Sequence, residues 1–290
     1  FGAEGLDPVP LMKRRYPKEW LPINDAEEKN WEPGMIKDSQ SGNMHFFYYD
    51  TQETLEDWVR ESQKHQAFGT KVQTESFRRD ANMVTFAIHL FIDAWPSGWM
   101  KTIVDCERNP KPAFFAYRDA LTPLMVNIRT DRKTYFAGEK AAIELFICND
   151  THEISDGHKI VCELVEKGEK LALEAEFDAK FMENSSFIQG DICFDIPKVK
   201  DRTKYTLRAI LKDKNGNILH YCDEELEFFP EIKKAEATAT VITGEEFASD
   251  INFFVDQAKS GKTVVVNGLS EGIYKIADAE VKVKPCSMRA

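Results

Sequence analysis

The run Ala142-Ile-Glu-Leu-Phe-Ile-Cys148 alternates between the two faces of an extended chain. Ile143, Leu145 and Ile147 share one face, and a period of two residues is typical of a β-strand. Similar short runs lie on both sides of it, at 126–130, 159–166, 171–177, 187–194, 204–212 and 218–228. Seven short strands within residues 121–232 predict an immunoglobulin-like β-sandwich.

The turns between these runs support the same prediction. Lys214-Asn215-Gly216-Asn217 separates the last two alternating runs. Asn-Gly between alternating runs is the strongest short-range signal for a β-hairpin. We therefore expect the strands at 204–212 and 218–228 to be antiparallel neighbours.

Residues 1–120, upstream of the sandwich, have a different pattern. Residues 1–50 are irregular and rich in Pro, and a helical stripe then runs from about Thr54 to Arg79, with Thr54 and Asp57 as a candidate capping box. The nearly continuous apolar run 83–92 predicts a strand buried on both faces, as in a parallel sheet. A short helix at 113–121 follows, and this order of elements predicts an α/β architecture.

Residues 233–290 form a third segment. A strand at 238–243, an amphipathic helix at 244–258 and a strand at 261–268 predict a βαβ unit, with 280–284 as an edge strand. One such unit is a partial α/β module, and we expect the chain to stop within a domain rather than to dock this unit on the sandwich. An amidotransferase-like or flavodoxin-like function would rest on fold analogy alone. Cys286 lies on a tail rather than on a strand-to-helix turn, where a nucleophilic cysteine would be expected.

The composition excludes several classes of function. The 290 residues carry 38 Lys and Arg against 49 Asp and Glu, a net charge of −11, which disfavours nucleic acids and anionic membranes as partners. No apolar run approaches the ~20 residues of a membrane span. The first residues, FGAEGLDPVP, include neither a starting Met nor a signal peptide, so we expect the chain to begin inside a longer protein.

The six cysteines indicate neither a zinc site nor a clear disulfide framework. No two of them have metal-ligand spacing. Four lie inside alternating runs (Cys148, Cys162, Cys193 and Cys222), where a free thiol behaves as a small buried hydrophobe. Unpaired thiols favour a cytoplasmic location. A periplasmic or secreted location would follow if a signal precedes this chain.

Motifs for phosphate binding and nucleophilic catalysis are absent. The sequence contains neither GxxxxGK[ST] nor GxGxxG nor GxSxG, and SGKTVV at 260–265 leads into a strand rather than a helix. The six His are scattered, and His89 in the apolar run is read first as a buried structural residue. We therefore predict no cofactor and no metal.

Asp93, Trp95 and Trp99 follow the apolar run directly and are the candidate substrate-binding residues. Residues just past the carboxyl end of a barrel strand face the active site. An aromatic ring can stack on the apolar face of a sugar, and a carboxylate can accept from its hydroxyls. In the alternative interpretation, Asp93 caps a turn and the two Trp only fill space.

Residues 91–121, FIDAWPSGWMKTIVDCERNPKPAFFAYRDAL, resemble the stretch that ends the catalytic barrel of glycoside hydrolase family 2. That family includes β-galactosidases, β-glucuronidases and β-mannosidases. The shared features are Trp95-Pro96, Trp99, Ile103-Val104-Asp105 and Pro110-Lys-Pro-Ala113, and residues 121–139 and 147–153 look like the sandwich that follows the barrel. The resemblance implies that residues 1–120 are the terminal portion of a (β/α)₈ barrel.

The resemblance also says where the catalytic residues are expected. In this family the nucleophile is a Glu followed by an aromatic residue and often Gly, and this chain starts Phe1-Gly2. The nucleophile is thus expected immediately before Phe1, with the general acid/base Glu further upstream. Glu4 is not placed in either role, so this chain alone holds no catalytic residue and is expected to be inactive.

Two hypotheses follow. In the first, the chain is the carboxyl-terminal part of a retaining β-glycosidase with a carbohydrate substrate. In the second, it is a non-catalytic carbohydrate-binding or assembly module. Residues 1–120 supply at most two strands of an eight-stranded barrel. An open sheet edge of that kind invites self-association. The predicted last barrel strand, 89–94, lacks the polar pair common in the family. The sequence therefore does not identify the sugar.

Overall fold

The computed structural model describes residues 1–37, 39, 42, 45, 48–166, 168–231 and 239–283, with the side chains of 169–174 left out. The chain forms two compact units, Phe1–Glu231 and Ile232–Ala290. The predicted boundary at 120/121 falls inside the first unit. The three-domain division therefore stays a prediction.

The first 120 residues contain short helices and one long helix. Their bounds are Val9–Arg15 (α1), Asp25–Glu28 (α2), Leu55–Arg79 (α3) and Pro112–Ala120 (α4), with 3₁₀ turns at Lys18–Trp20 and Pro33–Met35. The long helix and the closing helix confirm the sequence prediction to within one or two residues. The irregular region 1–50 is thus partly helical, although none of its described helices exceeds seven residues.

Helix α3 carries most of the packing in this part. Thr54 caps it by accepting from the backbone of Asp57 (3.1 Å). Its apolar residues Leu55, Trp58 and Val59 are buried in a cluster with α1. Beyond Gln66 the buried face shifts to polar residues, and Val72 is exposed. The carboxyl-terminal half of the helix therefore buries hydrogen-bonding groups. A search of the sequence for an apolar stripe does not detect such a buried face.

The predicted buried strand at 84–92 is wrong in the structure. Alternate residues of the segment are exposed, with Val84 96% and Phe91 52% accessible, while Phe86, Ile88, Leu90 and Ile92 are half-buried. Within the described residues it forms no regular strand, but it has a parallel bridge between Ile92 and Val104 and backbone hydrogen bonds to Phe1 and Ile103. An apolar run indicates what a strand would bury, but burial on both faces needs long neighbouring strands, and the described backbone neighbours here are the short stretches at Phe1 and Ile103–Val104. The barrel portion therefore stays a prediction.

Residues 124–229 form two sheets packed face to face. The strands are Leu124–Arg129 (β1), Thr134–Phe136 (β2), Lys140–Asn149 (β3), Lys159–Glu166 (β4), Glu169–Asp178 (β5), Ser185–Asp195 (β6), Thr203–Lys212 (β7) and Ile218–Phe229 (β8). One sheet has the order β1-β3-β6 and the other β2-β8-β7-β4-β5. This confirms a β-sandwich. The sequence missed β2, whose three residues pair parallel to β8 and are too few to show a period.

The core of the sandwich follows the alternation read from the sequence. Ile143, Leu145 and Ile147 of β3 are completely buried. They pack against residues of the opposite sheet such as Leu207 and Phe228. Burying a side chain of this kind contributes roughly 1.5–3 kcal/mol, so these positions hold the two sheets together.

We expect Gly216→Ala to destabilise the protein by about 1–2 kcal/mol. Gly216 has φ +85°, which a side chain disfavours, although nothing lies within 4 Å of the added Cβ. The loss would come from the backbone alone. Gly216→Asn should lose less, because Asn tolerates this conformation. Urea unfolding measures both, and equal losses would contradict the backbone explanation.

Arg78, at the end of α3, joins the helical part to the sandwich. Its guanidinium donates to the backbone oxygens of Ala120 (3.0 Å), Thr122 (2.6 Å) and Pro123 (3.1 Å) and to the carboxylate of Asp150 (2.8 Å). Its side chain is only 4% exposed. A planar cation with several donors can bind this many acceptors at once. The helices and the sandwich therefore share a buried polar junction.

We expect the stability of the first unit to fall as the pH drops below about 6.5, with His220 contributing. Burial lowers the pKa of His220 from 6.5, the nearby Arg78 lowers it further, and Asp119 opposes this. A depressed pKa means that the unfolded chain takes up a proton first, so stability is lost as the pH falls.

Denaturant unfolding between about pH 7.5 and pH 5.5 tests this, a range above the titration of ordinary carboxylates. His220→Gln should show a smaller slope than the parent chain. The remaining slope would include His65, whose pKa burial also lowers. An unchanged slope in His220→Gln would contradict the assignment.

The second unit contains the predicted βαβ arrangement. Its elements are Ala239–Thr243 (β9), Gly244–Ser249 (α5), Ile251–Lys259 (α6), Thr263–Asn267 (β10), Gly272–Ile276 (β11) and Ala279–Val283 (β12). Strands β9 and β10 are parallel, which confirms the prediction. The single predicted helix is two helices, because Asp250 caps a new one by accepting from the backbone of Phe253 (3.0 Å).

The tail strand of this unit also has a partner that the sequence did not indicate. Strand β12 pairs antiparallel with β11. Lys262-Thr263 leads into β10, as predicted. Residues 233–238 and 284–290, including Cys286, lie outside the described residues.

The described cysteines are free thiols. Cys148, Cys162 and Cys222 are buried as predicted, and burial raises the pKa of Cys162 to about 12 and that of Cys222 to about 11. Cys193 is exposed on β6, so its prediction as a buried hydrophobe is wrong. Cys193 lies between two inward-facing residues of β6, which is an edge strand. Because successive side chains of a strand point to opposite faces, its side chain points outward. No helix among the described residues is long and apolar enough to cross a membrane.

Candidate functional site

The loop from Asp93 to Trp99, here called the tryptophan loop, follows the exposed segment 81–92. Its start is fixed by the backbone of Asp93, which donates to Val104 (3.3 Å). Ser97 and Met100 have positive φ values of 55° and 51°. Such backbone is unfavourable for residues other than Gly and persists where surrounding contacts hold it. The contacts around the loop are therefore informative.

The Asp93 carboxylate holds the loop in place through hydrogen bonds. It is buried, and its carboxylate accepts from the hydroxyl of Thr102 (2.7 Å) and the backbone of Trp99 (3.2 Å). A Cβ on Gly98 would lie 2.8 Å from this carboxylate, so the loop closes tightly over it. These contacts match the turn-capping interpretation of Asp93, while its predicted contact with a sugar stays a prediction.

Trp95 and Trp99 lie on the solvent side of the loop. They are 63% and 55% exposed. His89 makes an edge contact with Trp99 at 5.6 Å between ring centroids, and the ammonium of Lys101 lies 5.4 Å from the centre of the same ring. The two rings are large apolar surfaces open to a ligand, as expected for sugar stacking. His89, expected to be buried, is instead at the edge of this surface.

A buried charge pair lies behind the loop. Lys111 and Asp7 are at most 1% exposed and lie 3.1 Å apart. Lys111 also donates to the backbone oxygen of Gly5 (2.9 Å). Asp7 accepts from the hydroxyl of Tyr16 (2.8 Å) and from the backbone of Ser97 (3.2 Å). Burial, together with Asp7, raises the pKa of Tyr16, so the phenol stays protonated as a donor.

These supporting residues were only partly visible in the sequence. Lys111 stood inside the Pro-Lys-Pro-Ala motif, but nothing indicated that its charge is buried. Asp7 lies about ninety residues before the loop that it supports, and no local pattern links them. A buried Lys is almost always paired, so only the fold identifies its partner.

Gln66 of α3 ties the amino terminus to the same loop. Its side-chain amide donates to the backbone oxygens of Ala3 (3.0 Å) and Thr102 (3.0 Å). The backbone of Gly5 donates to Met100 (2.9 Å). A Cβ on Gly5 would meet the Gln66 amide at 2.4 Å, so Gly is required there by close approach.

The first residue lies beside the segment that leads to the loop. The Phe1 nitrogen donates to Ala87 (3.3 Å), and the backbone of His89 donates to Phe1 (2.6 Å). Bonds to residues two apart on the neighbour are the pattern of a parallel pair. The Phe1 ring packs on Phe77 with 5.2 Å between centroids.

Glu4 is buried, and its carboxylate accepts from the hydroxyl of Ser39 (3.2 Å). This is a supporting contact within the amino-terminal segment. Among the described residues, no group of three or more His, Cys, Asp or Glu side chains could hold a metal ion.

Most of the chain shares its fold with part of one solved glycosidase. The chain is similar to the β-D-mannosidase from Dictyoglomus thermophilum with a TM-score of 0.53 and 20% identity, over 83% of this chain and 28% of that chain. The chain thus spans about 28% of the length of that enzyme. At the level of fold, this agrees with the resemblance to glycoside hydrolase family 2.

Two further similarities are too weak to carry an argument. The CARDB domain of the PF1109 protein from Pyrococcus furiosus has a TM-score of 0.30 and 12% identity, over 37% of this chain and 94% of that one. Spo0M from Bacillus subtilis has a TM-score of 0.26 and 12% identity, over 38% and 50%. No protein-family model matches the sequence, and no curated protein matches it.

Proposed function

We propose that this chain is the carboxyl-terminal part of a retaining β-glycosidase that hydrolyses O-glycosidic bonds. One observation carries the proposal: Phe1 is bonded in parallel to the segment 87–89, which leads into the tryptophan loop. In parallel strands, the carboxyl ends meet at one edge, which is where a barrel enzyme places its site. The family nucleophile is expected immediately before Phe1.

Each residue then has a role in the proposed reaction. Retaining enzymes use two carboxylates about 5–5.5 Å apart, one as nucleophile and one as acid/base. The proposal puts both upstream of Phe1. Trp95 and Trp99 would stack on the sugar, and Asp93 would fix the loop that presents them, because its oxygens already accept from Thr102 and Trp99.

The experiment is a panel of nitrophenyl β-galactoside, β-glucuronide and β-mannoside with the purified chain. The proposal expects no turnover. Glu4→Gln is the matched variant, since Glu4 is the acidic residue nearest to the expected nucleophile position. Turnover by the chain that disappears in Glu4→Gln would overturn the assignment.

A second arm uses the chain extended by the residues encoded before Phe1, including both expected carboxylates. This protein should hydrolyse one member of the panel, with the product retaining its anomeric configuration by proton NMR. Replacing the residue before Phe1 by Gln should lower turnover at least about a thousandfold. Product of inverted configuration would contradict the proposal.

A non-catalytic binding or assembly module is the second candidate. The exposed Trp95 and Trp99 favour sugar binding, and the exposed apolar segment around Val84 and Phe91 favours self-association. Light scattering separates these cases. If the chain self-associates and this association disappears in the amino-terminally extended protein, the result supports a truncated enzyme. If the chain is monomeric and binds sugar, the result supports a binding module.

A further inference from the structure

A groove lies away from the tryptophan loop, between α2 and the two 3₁₀ turns. It is open to solvent and has a volume of about 500 Å³. Small-molecule sites in proteins typically occupy roughly 300–1,000 Å³. Its apolar wall includes Leu21, Pro22, Trp31 and Met35, and its polar rim includes Glu19 and Glu27.

The groove is held in shape by contacts from the protein behind it. The Trp31 indole donates to the backbone of Trp20 (2.7 Å), and the Trp58 indole donates to the backbone of Trp31 (3.1 Å). Asn24 caps α2 by accepting from Ala26 and Glu27 (both 3.0 Å). A cavity that is already formed loses little free energy of ordering when it binds a ligand.

The rim is acidic. Its described lining residues include two carboxylates, Glu19 and Glu27, and no Lys or Arg. Glu19 is exposed, and among the described residues it has no ion-pair partner. Glu27 accepts from Ile23 (3.1 Å) and Asn24 (3.4 Å), which leaves capacity, because a carboxylate can accept about four hydrogen bonds. The charge favours a cationic ligand and disfavours an anionic one.

The apolar wall is open to a ligand. Met35 is 51% exposed at the groove. An exposed Met is a flexible and polarizable surface that adapts to apolar groups of different shape. A ligand that fits both the wall and the rim needs an apolar body and a positive charge.

We propose that this groove binds an amphiphilic amine, a small molecule with one protonated amine and an apolar body about the size of a phenyl ring with a short alkyl chain. The apolar body packs on Leu21, Pro22 and Met35, and the ammonium pairs with Glu19 and Glu27. This site is separate from the proposed glycosidase chemistry. It uses none of Asp93, Trp95 or Trp99, so it stands or falls independently.

The test is saturation-transfer NMR and calorimetry on the full chain with 4-phenylbutylamine and its acidic analogue, 4-phenylbutanoate. The amine should bind saturably below about 10 mM, and the acid should bind at least about tenfold more weakly. The pair differs in the sign of the charge with the same phenyl-alkyl body. Equal binding of the two, or no binding of the amine, would overturn the proposal.

Variants assign the binding to the groove. Glu19→Gln with Glu27→Gln should weaken binding of the amine about tenfold, and Met35→Ser should also weaken it. Glu225→Gln, an exposed Glu on β8, is the matched control and should leave it unchanged. Melting temperatures confirm that the variants fold. Unchanged binding in the folded double variant would show that the amine binds elsewhere and would refute the proposal.

Discussion

Lys111→Met should lower the free energy of unfolding by about 3–5 kcal/mol, the usual loss when one partner of a buried ion pair is removed. Lys111 and Asp7 are both almost completely buried, 3.1 Å apart. Without the ammonium, the Asp7 carboxylate would remain in the interior with only Tyr16 and the Ser97 backbone as donors. Urea unfolding followed by circular dichroism measures the loss.

The double variant Lys111→Met with Asp7→Asn separates the charge from the packing. Asn can still accept from Tyr16 and Ser97 but carries no charge. We expect the double variant to be more stable than Lys111→Met alone, a coupling that a double-mutant cycle measures. Lys64→Met, at an exposed position on α3, should change stability by no more than about 0.5 kcal/mol. A double variant no better than the single would contradict the pairing.

The second large effect is expected at the junction of the helices and the sandwich. Arg78→Met should destabilise the first unit by about 3 kcal/mol, since hydrogen bonds that involve a charged group contribute roughly 1.5–3 kcal/mol each and do not add fully. It would leave three backbone oxygens and the Asp150 carboxylate without this donor. Denaturant unfolding measures it.

Arg118→Met is the matched control for Arg78→Met. Arg118 lies on the neighbouring helix α4 and pairs with Asp119, and both side chains are more than 60% exposed. Exposed ion pairs contribute little, so the change should stay within about 0.5 kcal/mol. Equal losses in the two variants would show that Arg78 acts as an ordinary surface residue.

The sandwich was largely predictable because its strands bury one face and expose the other. Ile143, Leu145 and Ile147 read as one face in the sequence and are buried together in the structure. The hairpin at Asn215-Gly216 was predictable for a different reason, because Gly216 adopts a positive φ that few residues tolerate. In both cases the information is local.

The buried strand at 84–92 was not predictable by the same method. Its apolar residues suggest burial, but Val84 is 96% exposed because burial depends on strands elsewhere in space. Strand β2 was missed because its contacts are with β8, about ninety residues away. Periodicity describes one segment at a time and contains no information about partners.

The sequence indicated the exposure of the candidate site's tryptophans but not the residues that hold their loop. Trp95 and Trp99 are exposed on the loop where the sequence placed them. The Asp93 carboxylate accepts hydrogen bonds from within the loop, as the turn-capping interpretation expects, and its contact with a sugar stays a prediction. The residues behind the loop, above all Asp7 and Gln66, come from distant segments and carry no local signature.

The Arg78 junction has a spectroscopic consequence. All five Trp lie within residues 1–99, so intrinsic fluorescence reports on the helical part and not on the sandwich. The far-ultraviolet signal of β-structure reports mainly on the sandwich. If Arg78 joins the two parts into one cooperative body, the two signals should change together on heating. In Arg78→Met they should separate into two transitions.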